Sequence, residues 1–176
     1  ANADNGFSVA GVDHFARILP VKVLRADGSG GLFELIQGLV FAADRGAHVI
    51  SMSLIGYPVI LFLEEALEYA RNAGAVLIAC AGNGGIGDAD VSGPGVSPLT
   101  ISVGATTDDD ARAFFSGTGS ALDLVAPGAS VATVNPFGGG NGFDTFSGCS
   151  AATPIAAGVA SLLLSLNPQL THDGLR

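Results

Sequence analysis

Cationic side chains are scarce: seven Lys and Arg stand against sixteen Asp and Glu in 176 residues, a net charge of −9. So few cations do not build the basic face that nucleic acid or an anionic membrane selects, and neither is expected as a partner. The acidic groups are scattered and read as a solvated surface. Cysteine is nearly absent as well. Cys80 and Cys149 form neither a disulfide framework nor a metal-ligand motif, and Cys80, inside an apolar segment, reads as a small core residue. No uninterrupted apolar run is long enough to span a bilayer. Repeats, linkers and low-complexity tracts are missing too, so residues 1–176 read as one domain. What is present is a chain 48% hydrophobic and only 13% charged, able to bury a substantial core.

Periodicity organises that core. Leu19 to Leu24 is a short apolar segment rich in β-branched residues, read as a strand. Leu32, Leu35, Ile36, Leu39, Val40 and Ala43 follow helical spacing, and Gly46 closes that helix. His48 to Leu54 reads as the next strand, with His48 a buried structural residue at its start. Leu63, Ala66, Leu67 and Ala70 predict a second amphipathic helix closed by Gly74. Ala75 to Ala81 is continuously apolar, as a central parallel strand requires, and Leu99 to Ala105 is another strand. Strands alternating with helices imply right-handed βαβ units on a parallel sheet, with ligand sites beyond the carboxyl ends of its strands. Turns and hairpins are expected between Ala126 and Gly142. The last helix, Pro154 to Leu166, is apolar on almost every face and is expected to run through the core.

The chemistry concentrates in Phe146-Ser147-Gly148-Cys149-Ser150-Ala151-Ala152-Thr153-Pro154. Small residues leave space around the Ser150 hydroxyl, and Pro154 suits a first helical turn, where its missing N–H would be unpaired anyway. A helix N-terminus offers free N–H groups and a partial positive charge, which favour an oxyanion. The residue types fit a mounted nucleophile, and they also fit a plain N-cap serine. The segment resembles the serine motif of the subtilisin-like serine proteases, the subtilases. Pro20-Val21-Lys22-Val23-Leu24 with Ala26-Asp27-Gly28-Ser29-Gly30, then Val49 to Leu54, Ala81-Gly82-Asn83-Gly84, Val103-Gly104-Ala105 and Ala126-Pro127-Gly128 match further family blocks in the right order.

This resemblance implies a three-layer α/β/α sandwich on a parallel sheet, truncated at both ends, and a serine endopeptidase acting on protein or peptide substrates. It casts Ser150 as nucleophile and Asn83 as oxyanion-hole donor, joined by the Ser150 backbone N–H. On its own, Ala-Gly-Asn-Gly-Gly reads as a turn in preference to an oxyanion site. Ser53, Leu54 and Ile55 would pair with an extended substrate, and Ala81 and Gly82 would wall the pocket beside the scissile bond. Ile55, Cys149, Ala151 and Ile155 depart from the usual glycine, threonine, methionine and histidine. The resemblance also brings Cys80 and Cys149 near the site, which leaves a disulfide open, although two thiols are the favoured reading.

In this family the acid and base precede the serine in the order Asp, His, Ser, and neither family segment occurs here. His14 reads as a surface-loop residue and His172 as part of a ragged tail. Both ends read as cuts in a longer protein, so the triad Asp and His are expected upstream and the fragment is expected to be inactive. An α/β-hydrolase is rejected, because its acid and histidine follow the serine. A non-cleaving pseudoprotease remains the alternative. No cofactor is expected. Asn5, Phe7 and Val9 match a calcium loop of some subtilases, yet Asp4-Asn5-Gly6 is read as a turn. A pro-segment acting as an intramolecular inhibitor and an extracellular location follow from the resemblance alone.

Overall fold

Leu35, Leu39, Ala42 and Ala43 lie three and four residues apart, so they share the one buried stripe of α1 (Leu32–Asp44). The computed structural model describes residues 9–85, 91–134 and 142–176. Gly46 takes a φ of 71° and donates to the Ala43 carbonyl, which stops α1 where the sequence places its end. In α2 (Leu61–Asn72) the buried residues are Leu63, Ala66, Leu67 and Ala70. Gly74 closes it in the same way, at φ 96°.

Four parallel strands form the sheet in the order β1 (Val49–Met52), β2 (Val76–Cys80), β3 (Ile101–Thr106) and β4 (Leu124–Pro127). Every residue of β2 and β3 is buried: β2 has helices on both faces, and β3 has α3 on one face and Ser116 and Leu122 against Gly104 on the other. Leu77 and Ala79 pack with α1 and α2, while the alternating Val76 and Ile78 pack toward α3 (Cys149–Leu166). This is the expected three-layer α/β/α arrangement. The expected turn-rich stretch holds β5 (Val131–Val134), which pairs antiparallel with β6 (Phe143–Phe146).

Three readings are corrected. Residues 19–24 are not a strand: Val21 and Val23 lie against α1 at Gly38, and no described strand ladders with the segment. Apolar β-branched residues satisfied that helix contact instead of a sheet edge. Second, α3 starts at Cys149, five residues before Pro154, and does not run through a core. Its inner face packs on the four strands, while Val159, Leu162, Leu163 and Leu166 are exposed. By length and composition alone, with a mean hydropathy of 1.7, these 18 residues would suffice to cross a membrane, although Ser150, Thr153, Pro154, Ser161 and Ser165 interrupt the apolar run and the inner face packs on the sheet. Third, His48 is exposed, one residue before β1.

His172 is also misread as tail. It opens α4 (His172–Leu175) with only 5% of its surface exposed, and its Nδ1 accepts the Leu77 N–H at 3.3 Å. The β2–β3 ladder begins at Ile78, so the imidazole takes a strand donor just before that ladder starts. Among the described residues its buried Nε2 has no hydrogen-bond partner. Burial pushes the pKa below the ordinary 6.5. Arg71 and Arg176 push the same way, and Asp173 and Asp123 oppose them. The folded state therefore holds His172 neutral where the unfolded chain protonates it. Stability is full above pH 6.5 and declines as pH falls through that value. Denaturant midpoints between pH 8 and pH 5 should show this slope. His172→Gln should be less stable at pH 8 and should flatten the slope, and an unchanged slope would remove His172 as its source.

Candidate active site

Ser150 is the second residue of α3, and Gly148 stands at its N-cap with φ 149°, a conformation that favours glycine. Pro154 has no N–H to return to the Ser150 carbonyl four residues back. The Ser53 hydroxyl donates to that carbonyl instead, at 3.0 Å. In the other direction the Ser150 hydroxyl donates to the Ser53 carbonyl at 3.5 Å, a long contact that leaves the hydroxyl weakly held. Ser53 follows directly on β1, so this reciprocal pair fixes the start of α3 to a carboxyl end of the sheet. One more bond tightens the first turn, from the Thr153 hydroxyl to the Cys149 carbonyl at 2.8 Å.

Asn83 approaches from β2. The strand ends at Cys80, Gly82 turns the chain at φ 110°, and Asn83 emerges exposed. Its Oδ1 accepts the Cys149 N–H at 2.8 Å. That bond orients the amide, with Oδ1 toward the helix and the Nδ2 donors available to another oxygen. The Ser150 N–H belongs to the first helical turn, in which the Ala151 and Ala152 N–H groups already donate to the Gly148 carbonyl. Two kinds of donor and the positive end of an 18-residue helix therefore lie beside one hydroxyl. The first turn of α3 carries no acidic residue to oppose negative charge there.

The two cysteines are a correction: they form a disulfide, with Cα atoms 5.3 Å apart. The sequence favoured two thiols because it could not show how closely α3 begins to the end of β2. Both residues are completely buried, and the Gly82 N–H points at the Cys149 sulfur at 3.3 Å. A bridge across 69 residues of sequence stabilises the fold by about 4 kcal/mol in the chain-entropy account.

Ser53, Leu54 and Ile55 line a cleft of about 420 Å³, faced by Ser29 and Gly30. Ile55 is 46% exposed, so its branched side chain stands in the open part of the cleft. Ala81 and Gly82 are buried and lie outside this lining. Tyr57 lines the same cleft and was missed, although an aromatic two residues after the Ser53–Ile55 segment was the available signal. Burial, then Glu34, push its hydroxyl pKa upward, so it is a neutral donor at ordinary pH.

Among the described residues, no histidine lies beside Ser150. His48 and His172 lie by the amino ends of β1 and β2, opposite the ends that carry Ser53 and Asn83. His14 is exposed against Phe15, and its neighbour Asp13 accepts from Ser161, about 16 Å along α3 from Ser150. Asn5 and Phe7 lie outside the described residues, so the calcium-loop reading falls there too. Among the described residues, no three His, Cys, Asp or Glu side chains gather as metal ligands.

A three-layer parallel-sheet protein with a serine at a helix mouth and an amide donor beside it is the class that fold and site define. A profile of the subtilase family matches residues 1–176, and the chain belongs to that family. It is 39% identical over its whole length to alkaline elastase YaB of Bacillus sp. (strain YaB), of which it spans 45%. It is 37% identical to subtilisin Savinase of Lederbergia lenta, of which it spans 64%. Among solved structures, a cold adapted subtilisin-like serine proteinase superposes with a TM-score of 0.78 at 35% identity, covering 88% of this chain and 55% of that one. The chain thus spans about half the length of such relatives.

Proposed function

We propose that Ser150 is the nucleophile of a serine endopeptidase and that Asn83, with the Ser150 backbone N–H, forms its oxyanion hole. The observation that supports this best is the bond from the Cys149 N–H to Asn83 Oδ1, which leaves Nδ2 as a donor beside Ser150. In this reading the Ser150 oxygen adds to the scissile carbonyl, its proton passes to a histidine base, and the negative oxygen meets Nδ2 and the Ser150 backbone N–H. The base and its orienting carboxylate come from chain outside these 176 residues, which act as one domain carrying the nucleophile and oxyanion hole. The substrate is a protein or peptide lying extended along Ser53–Leu54–Ile55, with Ala81 and Gly82 behind the residue before the scissile bond. The disulfide fits an extracellular, oxidising setting.

A second reading, a cleft that binds peptides without cutting, draws on the Ser150 hydroxyl being turned to the Ser53 carbonyl with no described histidine beside it. Cleavage of an unstructured peptide by the full-length protein separates the two. Turnover that disappears with Ser150→Ala supports the peptidase, and binding without turnover supports the alternative.

A further inference from the structure

The Cys80–Cys149 disulfide joins the last residue of β2 to the first residue of α3, the two elements from which Asn83 and Ser150 project. It is no surface staple, since neither cysteine has any exposed surface. Nor is it needed to hold α3 on the sheet. Ala152, Ile155, Ala156 and Ala160 pack farther along the helix, against Val76, Ile78, Val103 and Ala105. Its local effect falls on the first turn. There the backbone on both sides runs through glycine at positive φ, Gly82 at 110° and Gly148 at 149°, so main-chain stiffness alone does not set the spacing. The bridge supplies that stiffness. It holds the Cys149 N–H 2.8 Å from Asn83 Oδ1 and the Cys149 sulfur against the Gly82 N–H.

We propose that Cys80 and Cys149 are positioning residues of the site: their disulfide sets the separation of the Asn83 amide from Ser150. The inference rests on the proposed function. The Ser53–Ile55 stretch along which the substrate is proposed to lie follows β1 and contains neither bridge cysteine, so loss of the bridge is expected to act mainly on the chemical step. Displacing a reacting group by about 1 Å can lower a rate by about a hundredfold.

Thiol titration of the denatured full-length protein comes first, with no free thiol expected from this pair before reduction and two after. Free thiols mapped to Cys80 and Cys149 in the unreduced protein would overturn the inference. The Cys80→Ala/Cys149→Ala variant is then compared with wild type well below both unfolding temperatures. The expected result is kcat lower by about ten- to a hundredfold, KM within about twofold, and slower phosphonate labelling of Ser150. Should the variant not fold, the Cys80→Ala/Cys149→Thr variant, which fills more of the space left by the second sulfur, serves for the same comparison. An unchanged kcat with only a lower Tm would make the bridge merely structural and overturn the inference alone. A wild-type protein that forms the bridge but never labels at Ser150 would overturn the proposed function, and this inference with it.

Discussion

Replacing Ser150 by alanine in the full-length protein is expected to lower kcat for a peptide substrate by about a millionfold. That size is carried over from the serine of subtilisin, a relative, rather than from the geometry here. The geometry supplies the reason for a total loss of the covalent route. Among the described residues no other hydroxyl shares the position: Ser53 is committed to the Ser150 carbonyl, and the Thr153 hydroxyl, fully buried, to the Cys149 carbonyl. KM should change little, since the cleft of Ser53, Leu54 and Ile55 keeps its lining. Steady-state kinetics with sensitive peptide esters and amides checks this. A variant retaining more than a hundredth of the wild-type kcat would place the nucleophile elsewhere.

Asn83→Ala should lower kcat by about a hundred- to a thousandfold and leave KM within a few-fold, again a magnitude taken from subtilisin. An amide that bonds the oxyanion only as charge develops contributes to the transition state and not to the ground state. Alanine also leaves the Cys149 N–H without its acceptor, so some loss of stability accompanies the kinetic effect. Asn83→Asp separates the two roles. A carboxylate still accepts the Cys149 N–H but offers no donor and repels the oxyanion, so stability should return while kcat stays low. Unchanged kcat with a raised KM in Asn83→Ala would make Asn83 a binding or turn residue.

Much of the fold could be read from the sequence because its cues are local. The stripes of α1 and α2, the glycines that end them, and the unbroken apolar run of β2 each depend on a few neighbouring residues. That the serine segment leads from a loop into a helix was legible for the same reason. Tertiary pairings were not. The role of Pro154 was read as opening the helix. In the fold it instead frees the Ser150 carbonyl for Ser53, 97 residues away in sequence. Nothing local in Thr171-His172-Asp173 signals that the imidazole reaches Leu77. Val21 and Val23 satisfy strand propensity on paper, yet they pack on a helix, because β propensity describes a half-buried surface and not a ladder partner. The disulfide is the same lesson at the site itself, since its bond depends on where β2 ends relative to α3.

The most direct test is covalent labelling with an organophosphonate, which reacts with a serine that has both an activating base and an oxyanion hole. In the full-length protein, peptide mapping by mass spectrometry should find one equivalent on Ser150, with Ser53, Ser147 and Ser161 untouched. Labelling of residues 1–176 alone should be slow or absent, since the oxyanion donors are there without the base. A stoichiometric label on another residue, or none on Ser150 in a protein that cleaves peptides, would contradict the account.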